Sequence, residues 1–202
     1  MELRTVLKLD VGEFLEKGLH IKNPDLIAAG ISCAKYFSYS KDQLILRTGE
    51  PISMYCFLAT EGLVRSVYHT AQGKEITECI LCQVGDCVVP SAVLNDPSPV
   101  DMEAMTDVGI LAFPIDAIRK LEEKYLEVLR MENEVLTDCW REQWEMKRIR
   151  YECDAKERYL WFCRTHPGAA ERMMDKHIAS LLDMSPVSLS RIRKQLASEK
   201  QV

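Results

Sequence analysis

The chain has 202 residues, of which 47% are hydrophobic and 28% charged. This composition is close to the globular average, so it excludes disordered, collagen-like and small disulfide-stapled proteins. The net charge of −5 is uneven, because residues 1–140 include 13 basic and 22 acidic residues while the remainder has 13 and 9. The two parts, at −9 and +4, are therefore expected to meet different partners.

Eight cysteines without a secretion signal indicate a reducing compartment. No run approaches the ~18 apolar residues that a membrane-spanning helix needs. The sequence therefore predicts a cytoplasmic protein with no membrane partner.

The first part of the chain changes pattern near Ser40. Before it, apolar residues at helical spacing predict short helices within residues 11–36, broken around Asn23-Pro24. After it, runs rich in β-branched and aromatic residues alternate with glycine-containing turns. The predicted strands are residues 43–47, 54–58, 63–68, 76–82 and 108–113. Short strands at this interval are typical of an antiparallel sandwich or barrel.

A long helix is predicted from about Leu126 to Tyr151, a stretch without Gly or Pro. An approximate apolar stripe runs along it, formed by Val128, Met131, Val135, Cys139, Met146 and Ile149. Such a helix is about 40 Å long. Two interpretations remain open: the stripe packs across the sheet of its own chain, or it is covered by a second copy. We favour the homodimer, because two-fold pairing buries the stripe with one repeated contact.

Residues 175–198 predict two helices joined by a tight turn. Asp175 is a candidate cap of the first helix, Asp183-Met184 form the turn, and Ser185-Pro186 begin the second helix. An outer face with Ser, Arg and Lys suits the major groove of DNA, where Arg can bind guanine O6 and N7. The predicted DNA-binding residues are Ser185, Pro186, Val187, Ser188, Ser190, Arg191, Arg193 and Lys194. The alternative is an ordinary helical hairpin with a solvated basic face.

The order of these features resembles the cyclic-AMP receptor protein/fumarate-nitrate regulator (Crp/Fnr) superfamily of bacterial transcription regulators. The resemblance is carried by the long helix, the residues Ile178-Ala179, Ser185 and Arg191-Ile192, and the glycine motifs Gly49-Glu50, Glu61-Gly62, Gly73-Lys74-Glu75 and Gly85-Asp86. It implies an α+β fold with an antiparallel, cyclic-nucleotide-binding-like β-roll (a double-stranded β-helix) in residues 1–125. A dimerisation helix in 126–153 and a helix-turn-helix domain in 154–202 would follow. The implied partners are double-stranded DNA with two-fold related half-sites and a second copy of the chain, with RNA polymerase as a further candidate.

Two departures from the family pattern concern the DNA-binding domain. Asp183 stands where the family usually has Gly, and Asp tolerates a left-handed conformation better than most residues. Six residues follow Leu196, too few for the two-stranded wing that family members usually carry. The expectation is a helix-turn-helix domain without a full wing.

The sensor region departs from the family as well. In relatives that bind cyclic nucleotides, a Glu holds the ribose and an Arg neutralises the phosphate, whereas Val89-Pro90 and Val100-Asp101 stand here. A phosphate without its Arg would be buried unpaired, so the sequence predicts that cyclic AMP does not bind. The candidate pocket comprises Val89, Pro90, Ser91, Val100, Asp101, Gln143 and Trp144. Both a different effector and the absence of any effector remain open.

No cofactor is predicted. Cys79 and Cys82 are three residues apart in a predicted strand and so point to opposite faces, which argues against an iron–sulfur cluster or another metal there. The four histidines are scattered, no catalytic residue is identified, and the chain is not expected to be an enzyme. For His177, packing or a phosphate contact is expected. The competing class is a ligand-binding or cysteine-based redox or metal sensor whose helical tail mediates association.

Overall fold

The computed structural model describes residues 9–88 and 96–199. Helix α1 (Val11–Glu13) continues into a π-helical turn (Phe14–Gly18), and α2 (Pro24–Cys33) follows. The Asn23 side chain caps α2 by accepting from two backbone N–H groups, and Pro24 occupies the first turn, where a missing N–H costs nothing. The predicted short helices and the break between them are confirmed.

Within the described residues seven strands follow, all paired antiparallel: β1 (Lys35–Tyr39), β2 (Leu44–Leu46), β3 (Met54–Leu58), β4 (Val64–His69), β5 (Glu75–Leu81), β6 (Asp101–Ala104) and β7 (Val108–Pro114). They form a three-stranded sheet in the order β1-β7-β3 and a four-stranded sheet in the order β2-β6-β4-β5. All five predicted strands are present. Strands β1 and β6 were not predicted from the sequence.

Apolar side chains fill both sides of the three-stranded sheet. Between the two sheets lie Leu58, Val64, Ala104 and Ile110, each at most 1% exposed. The other face of the three-stranded sheet is covered by the N-terminal helices, α3 (Ile115–Glu122) and the start of α4 (Leu126–Glu152). The β-roll is thus a closed unit that presents its four-stranded sheet to the rest of the chain.

Helix α4 spans the predicted stretch but carries two apolar stripes. Val128, Met131, Met146 and Ile149 are buried within the same chain, so the predicted stripe packs on its own protomer. This corrects the expectation that a second copy covers those residues. A second stripe remains exposed and consists of Leu126, Leu129, Leu136, Trp140, Trp144 and Tyr151. At 3.6 residues per turn these six positions fall within about 80° of arc, nearly opposite the buried stripe.

Four further helices complete the described chain: α5 (Ala155–Thr165), α6 (Ala169–Arg172), α7 (Asp175–Leu181) and α8 (Pro186–Glu199). Asp154 and Glu157 form a reciprocal capping box at the start of α5. Ile178, Leu182 and Leu189 are fully buried where α5, α7 and α8 meet. The predicted β-roll, long helix and helix-turn-helix are confirmed. None of the described helices is long and apolar enough to cross a lipid bilayer.

Candidate functional site

The turn between α7 and α8 has the geometry that the sequence predicted. Asp183 adopts a positive φ of 50°. Ser185 Oγ accepts a hydrogen bond from the backbone N–H of Ser188 at 3.0 Å, which caps the first turn of α8. Pro186 occupies the first position of α8, where the missing N–H costs nothing, and the hydroxyls of Ser185 and Ser188 are hydrogen-bonded at 2.9 Å.

Most of the predicted DNA-binding residues lie on one accessible surface. Ser185, Pro186, Val187, Arg191 and Lys194 are exposed, and Val187 is 61% exposed although it is apolar. Ser188 and Ser190 are half-buried beside them. The guanidinium of Arg191 and the ammonium of Lys194 have no intramolecular partner in the described part of the chain, so both charges face solvent.

Arg193 does not share this surface. It forms an ion pair with Asp175 at 3.0 Å, donates to the backbone oxygen of Ala170 at 2.8 Å, and lies 5.5 Å from the centre of the Tyr159 ring. Asp175 is not the cap of α7, because Met174 precedes the helix and the Asp175 carboxylate is directed to Arg193. In this structure Arg193 and Asp175 hold α8 against its neighbours. The Arg193 side chain is therefore directed away from the exposed surface of α8.

The helix-turn-helix is docked on the β-roll through a buried arginine. Arg65 of β4 is 6% exposed, and its Nε donates to Glu103 of β6 at 2.6 Å. Its Nη1 lies 2.6 Å from Nδ1 of His177 in α7. A guanidinium can only donate, so Nδ1 accepts and the ring proton resides on Nε2. Burial first, and then the charge of Arg65, lower the pKa of His177 to about 4, which keeps the imidazole neutral.

A second contact at this junction satisfies a strand edge. Strand β5 is at the edge of its sheet in the described chain, where a backbone N–H would otherwise lack a partner. The N–H of Thr77 donates to Ser180 Oγ of α7 at 2.9 Å. Leu63, Ile80 and Met105 of the β-roll pack into the same core as α7. This junction was not predicted from the sequence, although two polar residues inside the apolar strand, Arg65 and Ser66, were a signal of it.

A cleft of about 840 Å³ separates β5, the following turn and helices α4 and α5. Among the described effector candidates, Gln143 lines this cleft, whereas Val100 and Asp101 do not. Trp144 is 59% exposed and stacks on Trp140, with ring centres 6.3 Å apart. Val89, Pro90 and Ser91 lie outside the described residues. Within one protomer these described members therefore do not line one common cleft.

Val100 and Asp101 lie elsewhere in the β-roll. Val100 is buried between the sheets. Asp101 accepts from the backbone N–H of Thr48 at 2.6 Å and pairs with His69 Nε2 at 2.8 Å. Partial burial opposes the charged carboxylate, but the bonds from Thr48 and His69 outweigh it and lower the pKa of Asp101. This position thus holds a negative charge.

The cysteines at β5 point in different directions, as the strand geometry predicts. Cys79 packs against the core between the sheets, and Cys82, just beyond the strand, packs against the core of the helical domain. Among the described residues, no three or more His, Cys, Asp or Glu side chains are placed to hold one metal ion.

Comparison with known proteins agrees with this architecture. Residues 36–125 match the family model of the cyclic nucleotide-binding domain. FixK2 from Bradyrhizobium japonicum is 23% identical with a TM-score of 0.70, over 83% of this chain and 86% of that chain. The catabolite activator protein of Thermus thermophilus is 20% identical with a TM-score of 0.53, over 90% of this chain and 87% of that chain.

A structure from Eubacterium rectale, described as a regulator of the Crp/Fnr family, is 15% identical with a TM-score of 0.69, over 88% and 85% of the two chains. No curated protein matches the sequence at a significant level. The domain match and these structural neighbours confirm the predicted resemblance to the Crp/Fnr regulators at the level of the fold.

Proposed function

We propose that this chain, a cyclic nucleotide-binding-type β-roll joined to a helix-turn-helix on the Crp/Fnr fold, is a sequence-specific DNA-binding transcription regulator. The observation that carries the proposal is the outer surface of α8, where Val187, Arg191 and Lys194 are exposed. Arg191 reads a base edge in the major groove, and Lys194 contacts phosphate.

The protein acts as a homodimer through the exposed stripe of α4. Six large apolar side chains aligned along one helix favour a second copy of the same helix as their cover. Two recognition helices related by this axis would contact half-sites about 34 Å apart on two-fold related DNA. An effector that shifts α4 or the β-roll would change that spacing.

In this proposal cyclic AMP is not the effector. Asp101, one of the residues where relatives have the phosphate-binding pair, is a carboxylate whose lowered pKa keeps it charged. A cyclic phosphate placed beside it would be repelled. The proposal leaves open an effector of other chemistry and regulation without one.

Substitution of Arg191 tests the DNA-binding role. A binding site is first selected from random duplexes, and affinities are then measured by fluorescence anisotropy. Arg191→Ala is expected to cost about 1–3 kcal/mol on this site and to relax the preference at one base pair. Arg47→Ala, which removes an exposed arginine from the β-roll, is the matched control and should bind like the unaltered protein.

The salt dependence of binding separates the two function classes. A regulator loses affinity steeply as salt rises, because bound phosphates release counterions. Absence of DNA binding at moderate salt would favour the alternative, a sensor whose helical tail only mediates association.

A further inference from the structure

Two cysteines from different parts of the molecule meet in the cleft between the β-roll and α4. Cys87 follows the turn after β5 and is held in place by a β-bridge to Phe57. Cys139 lies near the middle of α4. Both thiols are half-buried and line the same cleft, as do Cys79 and Cys82. Of these cysteines, Cys87 is the one whose side chain acts as a hydrogen-bond partner of the Cys139 thiol. The positions are 52 residues apart in sequence, so only the docking of α4 on the β-roll brings them together.

We propose that Cys87 and Cys139 form a redox-responsive thiol pair, which a peroxide oxidises to a disulfide that ties α4 to the β-roll. The inference goes beyond DNA binding and does not depend on it. The cleft is large enough to admit a small oxidant, and the side chain of Cys87 faces that of Cys139 closely enough to hydrogen-bond it.

Cys139 is the thiol that reacts first. The hydrogen bond from Cys87 lowers the pKa of Cys139, although burial and the nearby carboxylates of Glu142 and Asp138 oppose its ionisation. Burial acts alone or dominates at other cysteines: it raises the pKa of Cys56 to about 12 and that of Cys82 to about 11. Since the thiolate is the nucleophile, Cys139 is chemically distinct from these neighbours.

The reaction proceeds in two displacements. The Cys139 thiolate attacks one oxygen of hydrogen peroxide, an S–O bond forms, the O–O bond breaks, and the departing hydroxide takes up a proton to leave as water. The Cys87 sulfur then attacks the Cys139 sulfur, an S–S bond forms, the S–O bond breaks, and the hydroxide leaves as water with the proton from Cys87. Two thiols and one peroxide thus give one disulfide and two waters.

Peptide mapping of the full chain tests this assignment. The reduced protein is treated with hydrogen peroxide, alkylated, digested without reductant and analysed by mass spectrometry. The expected product is a linked pair of peptides containing Cys87 and Cys139, with a loss of two of the eight free thiols. Cys139→Ser should abolish the linkage, and Cys87→Ser should leave a sulfenic acid on Cys139 that dimedone traps.

Cys33→Ser is the matched control, because Cys33 lies in α2 and, as far as the described residues go, bonds only to the backbone oxygen of Gly30. In this variant the linked peptides containing Cys87 and Cys139 should form as they do in the unaltered protein. Retention of all eight thiols, a disulfide between another pair, or oxidation of Cys139 beyond the sulfenic state with Cys87 still free would each overturn the proposal.

Discussion

Arg65 shows how one residue can decide where a domain sits. Its guanidinium is buried and pairs with Glu103, while His177, Thr77 and Glu75 accept its further hydrogen bonds. Leaving such a buried charge without its partners would cost several kcal/mol. Its burial depends on α7, which is more than 100 residues away in the chain, so a polar residue in β4 signals a contact but does not identify the partner.

His177 gives this junction a dependence on pH. Its pKa is about 4 in the folded protein and 6.5 when unperturbed, so between these values the unfolded chain binds a proton that the folded chain does not. Its contribution to stability is therefore complete above pH 6.5 and is lost as the pH falls towards 4. The full shift corresponds to about 3.5 kcal/mol at about 1.4 kcal/mol per pKa unit, of which about 3 kcal/mol is lost by pH 4, where the folded imidazole is itself half protonated.

Urea unfolding between pH 7 and pH 4 measures this contribution. Asn is the informative replacement, because its side-chain oxygen can accept from Arg65 near the position of Nδ1 but does not titrate. His177→Asn should flatten the stability profile by about 3 kcal/mol relative to the unaltered protein. His166, whose pKa is also lowered by burial, titrates in both proteins and cancels in the comparison. Parallel profiles would show that His177 does not carry the effect.

At the scale of elements, the sequence indicated most strands but not their full number. Strand β6 reads Asp101-Met-Glu-Ala104, which has low strand propensity, and it is held by pairing on both sides with β2 and β4. Only Met102 and Ala104 are buried in it, an alternation too short to recognise in advance. Pairing between distant segments therefore overrides local preference in this strand.

Helix α4 illustrates a second limit. The buried stripe could be identified from periodicity, but periodicity does not say whether a stripe faces the same chain or another one. The exposed stripe escaped notice because Leu136, Trp140 and Trp144 are interspersed with charged residues. Once the first stripe is assigned to the protomer, the second is left as the surface available to a partner.

A charge placed in the exposed stripe tests the dimer. Trp140 is 65% exposed and central in α4, so Trp140→Glu should leave the protomer folded while burying an unpaired carboxylate in the pair. We expect the free energy of dimerisation to become less favourable by about 2 kcal/mol or more, which corresponds to at least about a thirtyfold rise in the dimer dissociation constant. Sedimentation velocity over a concentration series measures it.

Arg130→Glu is the control for this experiment, because Arg130 is exposed on the same helix outside the stripe. It should sediment like the unaltered protein. A Trp140→Glu variant that remains dimeric at the lowest concentrations would remove the stripe from the interface.

At the scale of the whole molecule, α4 and β5 contact the helical domain in addition to Arg65 of β4. Helix α4 leads directly into it, and Arg150 of α4 donates to the backbone oxygen of Leu181 in α7 at 3.0 Å. Strand β5 contacts α7 laterally through Thr77 and Ser180. Because α7 packs on α8 through a fully buried core, a displacement of either element would carry α8 with it. The proposed thiol pair lies beside both elements.

The lateral contact can be weakened without disturbing either core. Ser180→Ala removes the acceptor of the Thr77 N–H and leaves a buried donor unsatisfied, at a cost of about 1–3 kcal/mol. If this bond limits the separation of α7 from β5, the Thr77 amide should exchange about 5–150-fold faster by hydrogen-exchange NMR.

Ser198→Ala is the control, because it removes a hydroxyl that among the described residues bonds only to the backbone oxygen of Lys194 in α8, and it should leave the Thr77 rate unchanged. The Ala104 amide, which bonds to Gln43 within the sheets, should be protected equally in all three proteins. An unaltered Thr77 rate in Ser180→Ala would mean that the apolar contacts of Leu63, Ile80 and Met105 alone hold the helix-turn-helix on the β-roll.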